Sequence, residues 1–194
     1  MRNGLAVTLA LVTIGCAAQA ASKPAIQTSF NYFTIVGTTP REIYADLLAR
    51  GPQVGGMDAL ATTKVDFSQA PQLAPGPLCK MKNFGTRLTF KVSLPHLAGE
   101  AGVSPSTRAS WARFASELKA HEAHHRAIWT ACANRLERQV MALKSESCEN
   151  FKAAYADLSR KNLAVCEAEN QLFDAKERLR FLSLPFIRQV TKTQ

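Results

Sequence analysis

The sequence predicts an α+β fold, in which a small antiparallel or mixed sheet with one short helix packs against a long antiparallel helical hairpin. Polar and apolar residues alternate along residues 87–94, as in a half-buried strand. Beyond residue 104, apolar residues recur at helical spacing through two long segments separated by Ser145-Glu146-Ser147. At 194 residues and 46% hydrophobic, the chain can bury one sizeable core, which predicts a single domain.

The first half of the mature chain, residues 22–100, carries signals of both strand and helix. Three strands are predicted, at residues 31–36, 61–67 and 87–94, the last ended by Pro95. A loop rich in proline and glutamine is predicted at residues 68–77. A short helix begins near Pro40, because proline in a first turn followed by an acid such as Glu42 favours a helix start, and it ends at Gly51.

The second half, residues 104–182, is predicted to form the helical hairpin. Its apolar positions in the first helix include Trp111, Phe114, Leu118, Trp129, Cys132, Leu136, Val140 and Leu143. Those in the second include Phe151, Tyr155, Leu158, Val165, Leu172 and Phe173. Polar residues interrupt the first stripe at residues 121–125, so that interruption is the expected place for a functional site.

The N-terminus has the pattern of a secretory signal peptide. Arg2 precedes a short apolar run and small residues that end in Ala18-Gln19-Ala20. We expect cleavage after Ala20, which removes residues 1–20 and leaves a soluble domain, residues 21–194, that is periplasmic or secreted. The alternative is a lipoprotein, because Thr13-Ile14-Gly15-Cys16 resembles a lipoprotein box in which Cys16 would be lipidated and held at a membrane.

The chain is basic, with a formal charge of +9, and the leader contains only one of its cations, Arg2. Such an excess can favour acidic partners or an anionic membrane surface. Here the cations are dispersed along the chain, and no nucleic-acid-binding motif accompanies them. The pattern favours a solvated basic surface and indicates no nucleic-acid partner.

Residues 121–125 read HEAHH and fit the pattern H-E-x-x-H. Histidines four residues apart lie on one helix face, so His121 and His125 can bind the same metal ion. Glu122 lies on the adjoining edge, where its carboxylate could take a proton from a water that zinc brings to a pKa of about 7. We predict a zinc site with Glu122 as general base; the alternative is a solvent-facing polar patch. His124 and His96 are expected to be exposed.

A third ligand is expected on the second helix of the hairpin. Facing residues of an antiparallel hairpin have numbers with a nearly constant sum, about 298 if the turn centres near residue 149. Asp174 and Glu177 then lie opposite the histidines; Asp174 is our first choice and Glu177 the alternative. Either could instead belong to a solvated helix face. No G-x-x-H follows His125, so the three-histidine pattern of metzincins is absent.

Loss of the leader removes Cys16 and leaves Cys79, Cys132, Cys148 and Cys166, an even number that predicts two disulfides in an oxidising compartment. The same sum places Cys132 opposite Cys166, which leaves Cys148 for Cys79. Cys148 and Cys166 would lie about 27 Å apart along one helix, beyond disulfide reach. We predict Cys79–Cys148, tying the sheet to the hairpin, and Cys132–Cys166.

Further segments occur in order along the chain. They are Tyr32-Phe33-Thr34-Ile35-Val36-Gly37-Thr38-Thr39, Arg50-Gly51-Pro52, Ala61-Thr62-Thr63, Cys79, Leu94-Pro95, and Trp111 ahead of His121-Glu122-Ala123-His124-His125-Arg126. With them, most of the mature chain resembles the predicted secreted zinc-dependent proteases of Gram-negative bacteria, also catalogued as a domain of unknown function. The resemblance implies export, zinc ligation by His121 and His125, and Glu122 as catalytic base.

The chain departs from this family in its second long helix. Relatives commonly carry a Tyr-Asp pair followed a few residues later by Thr-x-His-Gly. Here Phe173-Asp174 resembles the pair, whereas Glu177-Arg178-Leu179-Arg180 replaces the second segment. If the missing histidine completes the metal site in relatives, Asp174 or Glu177 takes its place here, or the chain binds zinc weakly and lacks activity.

The sequence thus predicts an exported metallopeptidase that holds one Zn²⁺ and hydrolyses peptide or protein substrates in the cell envelope. The alternative is a non-catalytic periplasmic binding or envelope-assembly module with a degenerate or structural metal site. An open cleft at the motif favours the enzyme, and a motif packed under the sheet favours the module. A membrane partner is expected only if Cys16 is lipidated.

Overall fold

The computed structural model describes residues 23–54, 56–74, 76–99 and 101–192. The predicted signal peptide and Cys16 lie outside these residues. The elements in chain order are β1 (Ala25–Ile35), α1 (Pro40–Arg50), β2 (Gln53–Val54), β3 (Met57–Asp58), β4 (Thr62–Ala74), β5 (Cys79–Leu97), α2 (Pro105–Ala142), β6 (Lys144–Ser145), α3 (Cys148–Leu182) and α4 (Pro185–Lys192). Among the described residues, no helix is both long and apolar enough to cross a membrane.

The sheet is mixed, with strand order β1-β5-β4. β5 pairs with β1 in parallel and with β4 antiparallel, and its first residues also pair with β6. β2 and β3 form a separate two-stranded ribbon. With α2 and α3 as a long hairpin beside the sheet, the predicted α+β architecture is confirmed.

One face of the sheet forms the main core. Alternate residues of β5 are buried, namely Leu88, Phe90, Val92 and Leu94. They share one apolar cluster with Trp111, Phe114 and Leu118 of α2. The short helix α4 completes this cluster, because Phe186 packs with its ring centroid 5.2 Å from Trp111 and 5.1 Å from Phe114. The alternating pattern of β5 therefore sets which face α2 covers.

Helix α1 begins and ends as the sequence indicates. Thr39 is its N-cap and forms a capping box with Glu42, and proline occupies the first turn. Ile43 and Leu47 on its inner face are fully buried in the main core. Gly51 then ends the helix, with its N–H donating to the carbonyl of Leu47 at 2.9 Å. The capping residues therefore set the ends of α1, and burial of its inner face adds further stability.

β1 begins at Ala25 and β5 at Cys79, several residues before their predicted starts, and the short strands β2, β3 and β6 were not predicted. Three further features differ from the sequence prediction. Residues 68–74 belong to β4 rather than to a loop, and Pro71 is tolerated because β4 is an edge strand. β5 continues past Pro95, at a point where β4 no longer pairs with it and a missing N–H costs less. The helix α4 was not predicted, because its eight residues are too few to show a clear helical period.

Both predicted cysteine pairs are joined in the structure. Cys79 and Cys148 connect β5 to the start of α3, with their Cα atoms 5.1 Å apart. Cys132 and Cys166 connect α2 to α3, with their Cα atoms 5.9 Å apart. Each disulfide restricts the conformations of the unfolded chain and so stabilises the folded state. For loops of these lengths the chain-entropy account gives about 4 kcal/mol each. Two disulfides indicate an oxidising, extracytoplasmic location.

A buried carboxylate joins α2 to the sheet. Oε1 of Glu137 accepts from the backbone N–H of Thr86 at 2.9 Å and from its hydroxyl at 2.7 Å, and both residues are buried. β1 begins opposite Arg87, so Thr86 lies just before the first residue of β5 that β1 pairs with. The Glu137 side chain therefore supplies the hydrogen-bond acceptor for the backbone N–H of Thr86 that β1 does not provide.

Replacing Glu137 by alanine should lower the free energy of unfolding by about 2–4 kcal/mol, because two buried donors of Thr86 lose their acceptor and a cavity remains. Glu137→Gln keeps a carbonyl oxygen and should cost less than half as much. Urea unfolding of the oxidised protein measures both. Gln139→Ala, on the exposed side of the same helix, is the control and should change stability by less than about 0.5 kcal/mol. Equal losses for the alanine and glutamine variants would contradict this role.

Candidate metal centre

Three side chains from α2 and α3 meet where the two helices lie side by side. Nε2 of His121 is 3.0 Å from Nε2 of His125. Oδ1 of Asp174 lies 3.1 Å from the first of these nitrogens and 2.9 Å from the second. The three atoms form a nearly equilateral triangle, and these residues form a group that could hold a metal ion.

The triangle fits a tetrahedral zinc ion. Zinc bonds of about 2.0–2.1 Å to nitrogen and oxygen separate neighbouring ligand atoms by about 3.3–3.4 Å. The observed edges of 2.9–3.1 Å are shorter by a few tenths of an ångström, which small side-chain movements can supply. Three protein ligands leave a fourth position open, as in catalytic rather than structural zinc sites.

Asn170 contacts His125 on the side away from Asp174, and this contact determines which ring nitrogen of His125 carries a proton. Nδ2 of Asn170 donates to the carbonyl of Cys166 at 2.8 Å, so the amide oxygen is turned towards His125. That oxygen lies 2.7 Å from Nδ1 of His125, which must therefore carry the proton. With Nδ1 engaged by Asn170, Nε2 is the nitrogen that faces the carboxylate of Asp174, and a cation between them would contact both.

His121 is held by packing against an aromatic ring. Its ring stacks on Phe173 at 4.7 Å between centroids, and the Phe173 edge also contacts His125. Burial, and then the nearby His125, lower the pKa of His121, although Asp174 acts in the opposite direction. The neutral imidazole that results is the form that binds a metal ion.

Glu177, the alternative ligand, lies on the other side of His121. Its Oε2 is 4.0 Å from Nδ1 of His121, a buried nitrogen that has no hydrogen-bond partner among the described residues. Hydrogen bonds from Arg180 lower the pKa of Glu177, and Arg180 also pairs with Glu117 at 2.7 Å. Glu177 thus lies outside the triangle, too far from His121 for a hydrogen bond.

Glu122 lies beside the triangle and is nearly inaccessible, with 4% of its surface exposed. Its Oε2 has no hydrogen-bond partner within the described chain. Burial raises the pKa of this carboxyl group, and the Thr63 hydroxyl acts in the opposite direction. A carboxylate of raised pKa is a stronger base, as proton transfer from water requires.

An open cleft of about 440 Å³ exposes these groups to solvent. The β2–β3 ribbon and the start of β4 form one wall, and α3 forms the other. His121, Glu122, His125 and Asp174 all line it, together with Asn170 and Trp129. The H-E-x-x-H segment therefore faces a cleft rather than lying wholly beneath the sheet.

The structure brings together most of the residues singled out in the sequence. His121, His125 and Asp174 meet, with Glu122 adjacent and Glu177 to one side. His124 is exposed and stacks on Phe173 at 4.0 Å, and His96 is exposed on β5. Asn170 was missed. It lies one turn before Asp174 and nearly satisfies the facing-residue sum with His125, so hairpin register was the signal that could have found it.

Residues 30–180 match the model of a family described as "Bacterial protein of unknown function (DUF922)". The chain belongs to this family. The matched span contains the whole site of this DUF922 protein and all four disulfide-bonded cysteines. No curated protein and no solved structure gives a significant match. Because the family description names no activity, the function of this DUF922 protein has to be argued from its site.

The tautomer of His125 can be tested directly by NMR. In metal-free protein at about pH 8, above the usual imidazole range, His125 should be protonated at Nδ1, as Asn170 requires. Replacing Asn170 by leucine removes the acceptor and should move His125 towards the Nε2-protonated form, seen in long-range ¹H–¹⁵N spectra. The exposed His124 is the internal control. A His125 spectrum that does not change in the Asn170→Leu variant would rule out this role for Asn170.

Proposed function

We propose that this protein is an exported zinc-dependent peptidase that acts in the periplasm on peptide or protein substrates. The observation that carries the proposal is the convergence of two imidazole nitrogens and one carboxylate oxygen within 2.9–3.1 Å of each other, beside a buried acid in an open cleft. His121, His125 and Asp174 would hold the ion. A zinc ion held there would activate water and polarise the scissile carbonyl.

Glu122 is the general base of the proposed reaction. It takes one proton from the attacking water as the water oxygen bonds to the carbonyl carbon, and it returns that proton to the amine nitrogen as the C–N bond breaks. The raised pKa of Glu122, caused mainly by burial, makes its carboxylate a better proton acceptor for the first step. Water supplies the remaining atoms, so no other reactant is needed.

One further residue positions a ligand. Asn170 holds the His125 ring through Nδ1. Such an amide partner fixes the ring orientation and raises the basicity of the nitrogen that binds the metal. Glu177 is held by Arg180, which also pairs with Glu117, and lies 4.0 Å from Nδ1 of His121, too far for a hydrogen bond.

The geometry favours an enzyme over a non-catalytic envelope module. A structural zinc site is normally closed by four protein ligands. Here three ligand atoms converge, and the side chain of Asp174 is 55% exposed at the cleft. An open coordination position that faces solvent supports catalysis, because substrate must reach the ion.

Metal binding is the first prediction of this proposal. The purified protein should hold close to one zinc ion per chain, and the His121→Ala, His125→Ala double variant should hold almost none. Asp174→Ala should weaken binding by more than about 100-fold, whereas Glu177→Gln, which changes a residue outside the triangle, should weaken it far less. Elemental analysis and competition with a chromogenic chelator measure these effects. His96→Ala, which removes an exposed histidine of β5, should match the unaltered protein; a folded, zinc-free wild type would refute the proposal.

Hydrolysis is the second prediction. Zinc-loaded protein incubated with a mixed-sequence peptide library should produce new peptide termini, detected by mass spectrometry. Glu122→Gln should bind zinc normally but cut about 10²–10⁴-fold more slowly, since it lacks the general base. His96→Ala again serves as the control. Equal cutting by the Glu122→Gln variant, or an uncut library with the zinc-loaded wild type, would exclude the proposed mechanism.

A further inference from the structure

A second cavity, of about 530 Å³, adjoins the metal centre on the side towards the end of α3. Its apolar lining comes from three separate parts of the chain: Met57 and Leu60 near the β2–β3 ribbon, Leu118 on α2, and Phe181 and Leu182 at the end of α3. His121, Glu122 and Asp174 line both this cavity and the cleft described above. The cavity is therefore continuous with the centre where the scissile bond would lie.

The walls of the cavity combine fixed and accessible apolar groups. Leu118 belongs to the main core and is 3% exposed, and Leu60 and Phe181 pack against that core. At the rim, Met57 is 72% exposed and Leu182 is 57% exposed. Single exposed apolar residues are common on proteins, but these two flank one concave space backed by core residues. Such a space favours an apolar occupant that displaces poorly held water.

The acidic groups around the cavity are engaged already. Glu177 pairs with Arg180, and Asp174 contacts both histidines. Asp58 accepts a hydrogen bond from Gln53 across the β2–β3 ribbon. Arg178, which also lines the cavity, is exposed and forms no ion pair within the described chain. The cavity therefore offers an occupant an apolar wall with one cation at its edge.

We propose that this cavity is a substrate subsite that receives a bulky apolar side chain, of leucine or phenylalanine size, next to the bond that is cut. This inference rests on the proposed peptidase function and specifies its substrate class. A peptide whose carbonyl lies at His121, His125 and Asp174 places a neighbouring side chain within reach of the cavity, because the cavity and the metal centre share lining residues. Sequences with a positively charged or very small residue at that position are poor substrates.

Simple hydroxamic acids test the subsite without any need for turnover. They chelate zinc through one end, so their side chain reports on the adjoining surface. In the zinc-loaded, disulfide-bonded chain, 4-methylpentanohydroxamic and 3-phenylpropanohydroxamic acids should bind at least tenfold more tightly than acetohydroxamic acid, as expected when two or more methylene groups are buried. 6-Aminohexanohydroxamic acid, of similar length but charged, should show no such gain. Titration calorimetry measures the four dissociation constants.

A pair of variants locates the gain. Leu182→Glu puts a charge at the rim of the cavity. In this variant the apolar hydroxamates should bind no more tightly than acetohydroxamate, so that the ratio of their dissociation constants is near one. Leu179→Glu changes a residue of the same helix that is 76% exposed and does not line the cavity, so the ratio should stay as in the wild type.

Each other outcome overturns a defined part of the argument. If acetohydroxamate binds in a zinc-dependent way but the apolar compounds gain nothing, or keep their gain in Leu182→Glu, the subsite is refuted and the metal centre stands. If no hydroxamate shows zinc-dependent binding, the subsite and the proposed peptidase function fall together.

Discussion

The register between α2 and α3 decides whether His121, His125 and Asp174 meet at all. A slip of one helical turn moves a side chain by about 5.4 Å, which would separate Asp174 from both histidines. An apolar stripe alone permits such slips, but polar contacts between these helices do not. Nε of Arg135 donates to Asn162 at 2.9 Å, and the amide of Asn162 donates to the Cys132 carbonyl at 3.2 Å. These directional bonds suit one alignment only, so they specify the site from a distance.

The same register gives the site its stiffness. Phe173 lies against both histidine rings, and Asn170 holds one of them from behind. A free histidine side chain loses rotational freedom when it binds a metal ion. In this structure much of that freedom is already lost on folding, so binding a metal ion would require little further ordering of the two histidines. The entropy cost of ordering these side chains is therefore part of the free energy of folding. The core beneath the sheet and the two disulfides offset it.

Features that depend on near neighbours in sequence could be predicted well. The start of α1 at Pro40, the break at Ser145-Glu146-Ser147 and the helical spacing of His121 and His125 follow from capping and periodicity. The turn itself lies between Ala142 and Cys148, a few residues before the predicted centre near residue 149. Features that depend on distant partners could not. Proline at residue 71 reads as a loop until β4 is known to be an edge strand, and α4 is helical because its aromatic and aliphatic residues complete a core formed elsewhere. Asn170 looks ordinary until His125 is opposite it.

The covalent bond between Cys132 and Cys166 has a consequence for when the site can form. Before export, a newly made chain meets a reducing cytoplasm in which these residues are separate thiols. The alignment of the two helices then rests on the polar contacts alone, without the cross-link that holds the hairpin two turns from His125. Oxidation on export adds that constraint. The redox state of the compartment therefore affects how firmly the two helices hold three side chains that contain no sulfur.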